Sequence, residues 1–498
     1  MRAAALAAPF HPTVVRRMRV AVLLAGLGLL SGCLSLAPAD TRPPAPIPAA
    51  FPDPSAAAAP AAQAPDWHAY FVDTRLQALI AQALTNNRDL RAAVARVDEA
   101  RAVYGVRSAD QWPTIGAGAA YARFRTPGGL LTPAPMIGQL YEVQLAETQW
   151  EIDFWGRVRS LKAAALQRYL ASDAARQATT LSVVTGVANA YLTLCEIDER
   201  IVLTRATIDT RRESLRIFRL RYAAGAISRL DLTQSEILLQ QAESLGVQLQ
   251  QARATAADAL ALLVGAPPEL GAAPLALDDG AVLPSLAPGL PSSLLERRPD
   301  VIAAEHELQA SRANIGAARA AFFPRIALTS AIGSGSSALH DLLTSGTGVW
   351  SLIPSATLPL IDGGRNRSNL ALANAQRDEA LARYEKTLQG AFRDVSDALA
   401  VRHWLADQVA IERATLASQA ERARLAKLRY DSGATRFLEV LDAQRDLMNA
   451  EQQLVVTRRA LLSSRVALYG ALGGGPDDPR VPPTAQQPIH STDSENRQ

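Results

Sequence analysis

A chain of 498 residues, 48% apolar and 20% charged, is long enough for about three domains and too hydrophobic to remain disordered. Its 51 Lys+Arg against 48 Asp+Glu leave a net charge of +3 with no basic block, which excludes the usual nucleic-acid-binding profile. Two cysteines, Cys33 and Cys195, exclude a disulfide framework, and 5% aromatic residues suit long helices better than one packed globular core.

At the N-terminus, Arg16, Arg17 and Arg19 precede the apolar run Val20 to Leu30, which has the length of a signal-peptide core and is too short to span a bilayer. The run ends in Leu30-Ser31-Gly32-Cys33. Small residues ahead of a Cys resemble the bacterial lipoprotein box, and by that resemblance Cys33 is the acylated first residue of the mature chain. The competing reading is an ordinary secretory signal with an incidental Cys. Residues 1–17 add nothing to the signal, so Met18 is an alternative start. Leu34 follows the Cys where the inner-membrane retention signal of that pathway has Asp, and this points to the outer membrane. Residues 1–32 therefore read as signal peptide and 33–66 as a lipidated tether. Residues 37–65 hold 9 Pro and 12 Ala, a composition that stays extended and semi-rigid. Beyond the signal no run of 18 or more apolar residues occurs, so no transmembrane helix is expected.

The remainder is a duplication. Arg88-Asp89-Leu90 matches Pro299-Asp300-Val301, and Gln111-Trp112-Pro113 matches Phe322-Phe323-Pro324, both at an offset of 211. Asp153-Phe154-Trp155-Gly156-Arg157 matches Ile361-Asp362-Gly363-Gly364-Arg365, and Arg221 to Gly225 matches Arg429 to Gly433, both at 208. The repeats are placed at residues 67–270 and 295–473, followed by a polar, disordered tail at 474–498. Each begins with a helix, Arg88 to about Ala109 and Arg298 to Ala321, that a proline ends at Pro113 or Pro324. Two strand-like stretches follow. Residues 157–266 and 360–475 then contain no Pro, and each is broken only near Gly225 or Gly433. Arg157 to Ala224 alone makes a helix of about 100 Å. Such a length requires a coiled coil or a barrel of helices, with Gly225 and Gly433 at two tips where the chain reverses.

In the strands, Tyr141, Val143 and Leu145 alternate with Glu142, Gln144 and Ala146, and the apolar phase then flips to Trp150, Ile152 and Phe154. A flip of phase implies a bulge. Trp350, Leu352, Ala356 and Leu358 alternate with Ser351, Ser355 and Thr357, and Ile353 breaks the pattern. Alternation of this kind fits a membrane barrel or a half-buried soluble sheet. Four strands cannot close a barrel, and an open edge is not tolerated in lipid. Eight strands from two chains would be filled by their own side chains, whereas twelve from three leave a lumen, which favours a trimer.

Together, Arg297-Arg298-Pro299-Asp300-Val301, Ile315 to Pro324, Asp362-Gly363-Gly364-Arg365, Leu441-Asp442-Ala443-Gln444-Arg445 and Ala471 to Gly475 resemble the outer-membrane efflux proteins over residues 67–473. Within that TolC-like family they resemble the lipoprotein branch of multidrug efflux outer-membrane factors. The resemblance implies a mixed α+β membrane protein: a homotrimeric twelve-stranded barrel, four strands per chain, continued by a long periplasmic helical barrel in a Gram-negative bacterium. It implies a periplasmic adaptor and an inner-membrane resistance-nodulation-division pump as partners. By the same resemblance, Arg221, Gly225 and Ser228 with Arg429, Gly433 and Thr435 are tip residues that meet the adaptor. Leu438, Glu439, Asp442 and Arg445, which share one helix face by spacing, line a periplasmic gate. Three-fold symmetry would make Leu438 a hydrophobic plug, Glu439 and Asp442 acidic rings, and Arg445 a tether to a neighbouring helix.

No catalytic constellation, cofactor motif or metal-ligand spacing is expected. The six His, at 11, 68, 306, 340, 403 and 490, are scattered. Gly473-Gly474-Gly475 reads as a helix stop and Cys195 as an inert packed residue. The function expected is a passive exit duct for drugs or other small toxic compounds. The rivals are a duct for type I polypeptide secretion and a coiled-coil lipoprotein without a pore.

Overall fold

In the computed structural model of the chain, residues 36–39, 41–52, 65–129, 133–271, 274–282 and 292–475 are described. The signal segment, Met18, Cys33, much of the tether and the tail beyond Gly475 lie outside them. The main elements are α1 (Trp67–Tyr70), α2 (Thr74–Asn86), α3 (Arg88–Ala109), β1 (Ile115–Thr126), β2 (Met136–Glu151), α4 (Arg157–Ala223), α5 (Arg229–Val264), α6 (Pro299–Ala320), β3 (Arg325–Ser336), β4 (Gly348–Thr357), α7 (Arg365–Asp431) and α8 (Phe437–Ala471). The order helix, two strands, long helix, shorter helix occurs twice, as the duplication requires. The chain divides into two compact units.

The first unit takes residues 1–42, 100–169 and 306–381 and holds the sheet. Its order is β1-β2-β3-β4, antiparallel throughout. Register places Tyr121 opposite Tyr141, Leu145 opposite Ile332 and Ile332 opposite Trp350. Because successive side chains alternate faces, one face carries Ile115, Tyr121, Val143, Leu145, Ile332, Trp350 and Leu352. All seven are exposed, Trp350 by 78%. The opposite face carries Gly118, Glu142, Gln144, Thr329, Gly333, Ser351 and Ser355, and with them the apolar Phe124, Met136, Leu140, Val349 and Ile353.

Glu147 pairs with Ser330 and Trp150 with Leu328, so three steps on β2 face two on β3. That extra residue is the expected bulge, and it keeps Glu147 and Trp150 on the apolar face. Gln149, with φ 61°, absorbs the turn. Each long helix then starts on a carboxylate. Asp153 accepts from the amides of Val158 and Arg159, and Asp362 from those of Gly364 and Asn366. The equivalent residues are thus Asp153 and Asp362, one position off the 208-residue register.

The second unit takes residues 43–99, 170–305 and 382–498. Two segments that carried the family resemblance meet here. Arg298 pairs with Asp300 at 2.7 Å and donates to the carbonyl of Ala471 at 2.9 Å, capping the end of α8. Gly473 and Gly474 take φ 88° and 73° just beyond. The segment 274–282 is bound through its backbone: Leu275 and Leu277 donate to Asp198 and Glu199 of α4. Asp198 in turn holds Arg253 of α5, and Glu196 holds Arg459 of α8 at 2.8 Å. Cys195 is buried beside them, and burial pushes its thiol up to about 12.

Helix α4 contains an 18-residue window of mean hydropathy 1.3, apolar enough by length and composition to cross a bilayer. Interspersed Thr and Asn interrupt any unbroken apolar run, which is why a run-length criterion overlooks it. Val183, Val187, Leu194 and Cys195 of this helix are buried within the unit, so its apolar face is spent on packing.

Candidate functional site: the helix tips and the acidic turn

Both reversals use one backbone device. At the end of α4, Gly225 donates to Tyr222 O and Ala226 to Arg221 O; at the end of α7, Gly433 donates to Tyr430 O and Ala434 to Arg429 O. Paired bonds of this pattern close a helix on a left-handed residue, and Gly225 and Gly433 have φ 71° and 75°. No atom of the described residues, the glycine and its own neighbours aside, stands within 4 Å of where a Cβ would be at either glycine. The demand is therefore conformational rather than steric, and both tips present open surface.

The two restarts differ. Ser228 caps α5 in a reciprocal box: its Oγ accepts from Asp231 N, and Asp231 accepts from Ser228 N. The residue at the same place before α8 is Arg436, which makes no side-chain cap. Thr435 lies one residue further out, so it is not the counterpart of Ser228.

An aromatic cluster joins the tips. The Phe218 and Phe437 rings are 3.9 Å apart, those of Tyr430 and Phe437 5.1 Å. Leu215, Leu232, Val440 and Leu441 are buried around them. Arg221 reaches across to the Tyr430 hydroxyl at 2.9 Å. Of the tip residues expected from sequence, Arg221, Gly225, Ser228, Arg429 and Gly433 thus have defined local roles.

Leu438, Glu439, Asp442 and Arg445 occupy the first turns of α8 on one side. Leu438 is 50% exposed, unusual for a leucine whose neighbours Phe437, Val440 and Leu441 are buried. Glu439 lies 3.6 Å from Arg429 of the tip. Arg445 pairs with Asp442 at 3.3 Å and with Asp446 at 3.1 Å, both on its own helix. Asp446 also takes Arg422 of α7 at 2.7 Å. The Arg422 guanidinium, with Arg445 beside it, holds the Asp446 carboxyl below the usual Asp range. Within one chain, then, Arg445 serves its own helix and Arg422 makes the cross-helix tie.

Sequence reasoning missed Asp446, Arg422, Phe218 and Tyr430. Asp446 was detectable, since it stands four residues after Asp442 and next to Arg445. Arg422 and Phe218 became visible only once the hairpins brought distant residues together.

The family model described as outer membrane efflux protein matches residues 79–266 and 290–474. Outer membrane protein OprJ of Pseudomonas aeruginosa is 41% identical over 464 residues, which are 93% of this chain and 96% of that protein. The probable outer membrane lipoprotein SilC of Salmonella typhimurium is 36% identical over 455 residues, 90% of this chain and 96% of that protein. The open-state crystal structure of the Neisseria gonorrhoeae MtrE outer membrane channel superposes with a TM-score of 0.81 at 36% identity, covering 88% of this chain and 98% of that one.

Proposed function

Because this chain belongs to the outer membrane efflux protein family, we propose that it is the outer-membrane exit duct of a tripartite efflux system. In this reading three copies form a twelve-stranded barrel continued by a helical tunnel, and small toxic compounds pass through it without chemistry. The observation that carries the reading is the sheet. It has exposed large apolar side chains on all four strands of one face, mostly small or polar residues behind them, and outer strands β1 and β4 that, among the described residues, each pair on one side only. Such a sheet suits lipid on one face and water on the other, but only if its edges are closed by other copies. Twelve strands close them and leave a lumen.

The tips around Gly225 and Gly433 then face a periplasmic adaptor that connects to an inner-membrane pump of the resistance-nodulation-division class. The turn carrying Leu438, Glu439, Asp442 and Arg445 forms the periplasmic constriction. Cys33, outside the described residues, carries the lipid. The test is electrical: the purified protein should run at the mass of three chains in native mass spectrometry and open single channels in planar bilayers. A trimer that never conducts would leave a scaffold. For the adaptor, Gly433→Trp should abolish drug resistance in cells at unchanged trimer yield, and unchanged resistance would remove the adaptor role from this tip.

A further inference from the structure

The bulge of β2 opens onto a cavity of 270 Å³ lined by Arg107, Trp112, Glu147, Gln149, Trp150 and Arg325 among others. Its charges are unevenly matched. Glu151 takes both Arg157 at 2.7 Å and Arg325 at 2.8 Å, and Asp110 takes Arg107 at 3.2 Å. Glu147 remains. It is only 5% exposed, one carboxylate oxygen accepts from the amide of Trp150, and the other, Oε2, is buried with no hydrogen-bond partner among the described residues. A buried carboxylate oxygen without a donor is costly, so Glu147 Oε2 is an acceptor suited to an N–H donor from outside the chain.

Position supplies the rest. Glu147 is the next residue after Leu145 on the apolar face, opposite Ile115. It therefore lies near the rim of that face, where β1 begins and β2 nears its end, with Trp150 the one further β2 residue placed there. Trp112, 73% exposed, flanks the cavity, and an indole at such a boundary has one edge for acyl chains and one for water. The Arg107 and Arg325 side chains are about half exposed and hold N–H groups beyond those used on carboxylates.

We propose that this cavity binds the headgroup of a phospholipid carrying a primary ammonium and a phosphate, phosphatidylethanolamine from the surrounding membrane, with the ammonium on Glu147 and the phosphate toward Arg107 and Arg325. The proposal rests on the membrane-barrel reading above. An ethanolamine ammonium brings three N–H donors. A choline brings none, and a phosphoglycerol brings no cation. Selection among these lipids is therefore a property of one carboxylate.

The experiment uses the full-length trimer in detergent. Retention of phosphatidylethanolamine, phosphatidylcholine and phosphatidylglycerol of identical acyl chains is compared by native mass spectrometry, with O-phosphoethanolamine as the free headgroup. The charged hydrogen bonds should make phosphatidylethanolamine bind about tenfold tighter than the other two. Glu147→Gln keeps an oxygen for the Trp150 amide, so the bulge survives, and it should reduce phosphatidylethanolamine to the level of phosphatidylcholine. Equal retention of all three lipids by the unaltered protein would overturn the proposal, and is also the outcome if a basic side chain of an adjacent copy fills the site. An undiminished preference in Glu147→Gln would overturn it as well. Free phosphoethanolamine competing as strongly as the lipid would assign the site to a soluble headgroup instead. The same preparations are tested for conductance: channels without lipid preference reject this site alone, whereas absence of channels rejects the barrel.

Discussion

Arg221 Nη1 donates to the Tyr430 hydroxyl at 2.9 Å, and its guanidinium carbon lies 5.7 Å from the centre of the same ring. The bond joins the first tip to the second although the residues are 209 apart in sequence. It is also asymmetric: Arg429, the repeat equivalent of Arg221, turns to Glu439 instead. Duplicated sequence has thus diverged into two jobs, one arginine holding the tips together and the other facing the acidic turn.

The aromatic cluster beneath that bond should set the stability of the tips. Phe218 is almost fully buried against Phe437. Phe218→Ala removes a large core side chain and should cost about 3–5 kcal/mol locally. Tyr430→Phe keeps the ring and loses only the bond to Arg221, a much smaller effect. Limited proteolysis near Gly225 and Gly433 should accelerate strongly in the first variant and little in the second. Equal cleavage rates would place the stability of the tips elsewhere.

The capping difference gives a separate prediction. Ser228→Ala removes the reciprocal box and should cost about 1 kcal/mol at the start of α5. Arg436→Ser, placing a cap where none exists, should stabilise the start of α8 by a similar amount. Amide exchange over residues 229–233 and 437–441 reads the two ends independently: the first should speed up and the second slow down.

Much of the fold was legible in the sequence because long elements announce themselves by what they lack. The absence of Pro across 157–266 delimited α4 and α5, and the phase flip at Trp150 located the bulge to within a residue. Positions dependent on backbone geometry were legible too, since Gly225 and Gly433 serve a conformation that other residues resist. The pairings of the candidate site were not. Arg422 with Asp446, Phe218 with Phe437 and Asp198 with Arg253 join separate helices, and periodicity carries no information about which face meets which. The start of α8 was equally silent, because Arg436 stands where Ser228 caps α5 and leaves no capping signal.

Arg211 offers a test of what the tip core tolerates. It is 4% exposed, Nη1 donates to Leu238 O at 2.6 Å, and Nε and Nη2 are buried without partners among the described residues. Burial lowers its pKa, yet an arginine stays charged at any working pH, so the desolvation cost is always present. Arg211→Met fills similar volume without the charge and should stabilise the chain by about 1–2 kcal/mol, seen as a higher thermal midpoint. A lower midpoint would mean that the guanidinium has a carboxylate partner in the assembled trimer.

The acidic turn supports the sharpest functional prediction. If three copies bring Leu438, Glu439 and Asp442 around one axis, the carboxylates concentrate negative potential in a narrow passage and favour cations. Asp442→Ala with Arg445→Ala should raise single-channel conductance and weaken cation selectivity. Arg422→Ala cuts the tie between α7 and α8 at Asp446 without removing a ring carboxylate, so it should raise conductance while selectivity holds. The pH dependence of that tie follows from its sign. The folded Asp446 pKa lies below the ordinary 3.8, so the pair's contribution is complete above 3.8 and is lost only as pH falls below it through the folded value. Conductance of the unaltered channel should therefore not change through loss of this pair between about pH 7 and 5, and any opening caused by protonating Asp446 should begin only under strongly acidic conditions. A double variant that conducts and selects like the parent would place the constriction elsewhere on the chain.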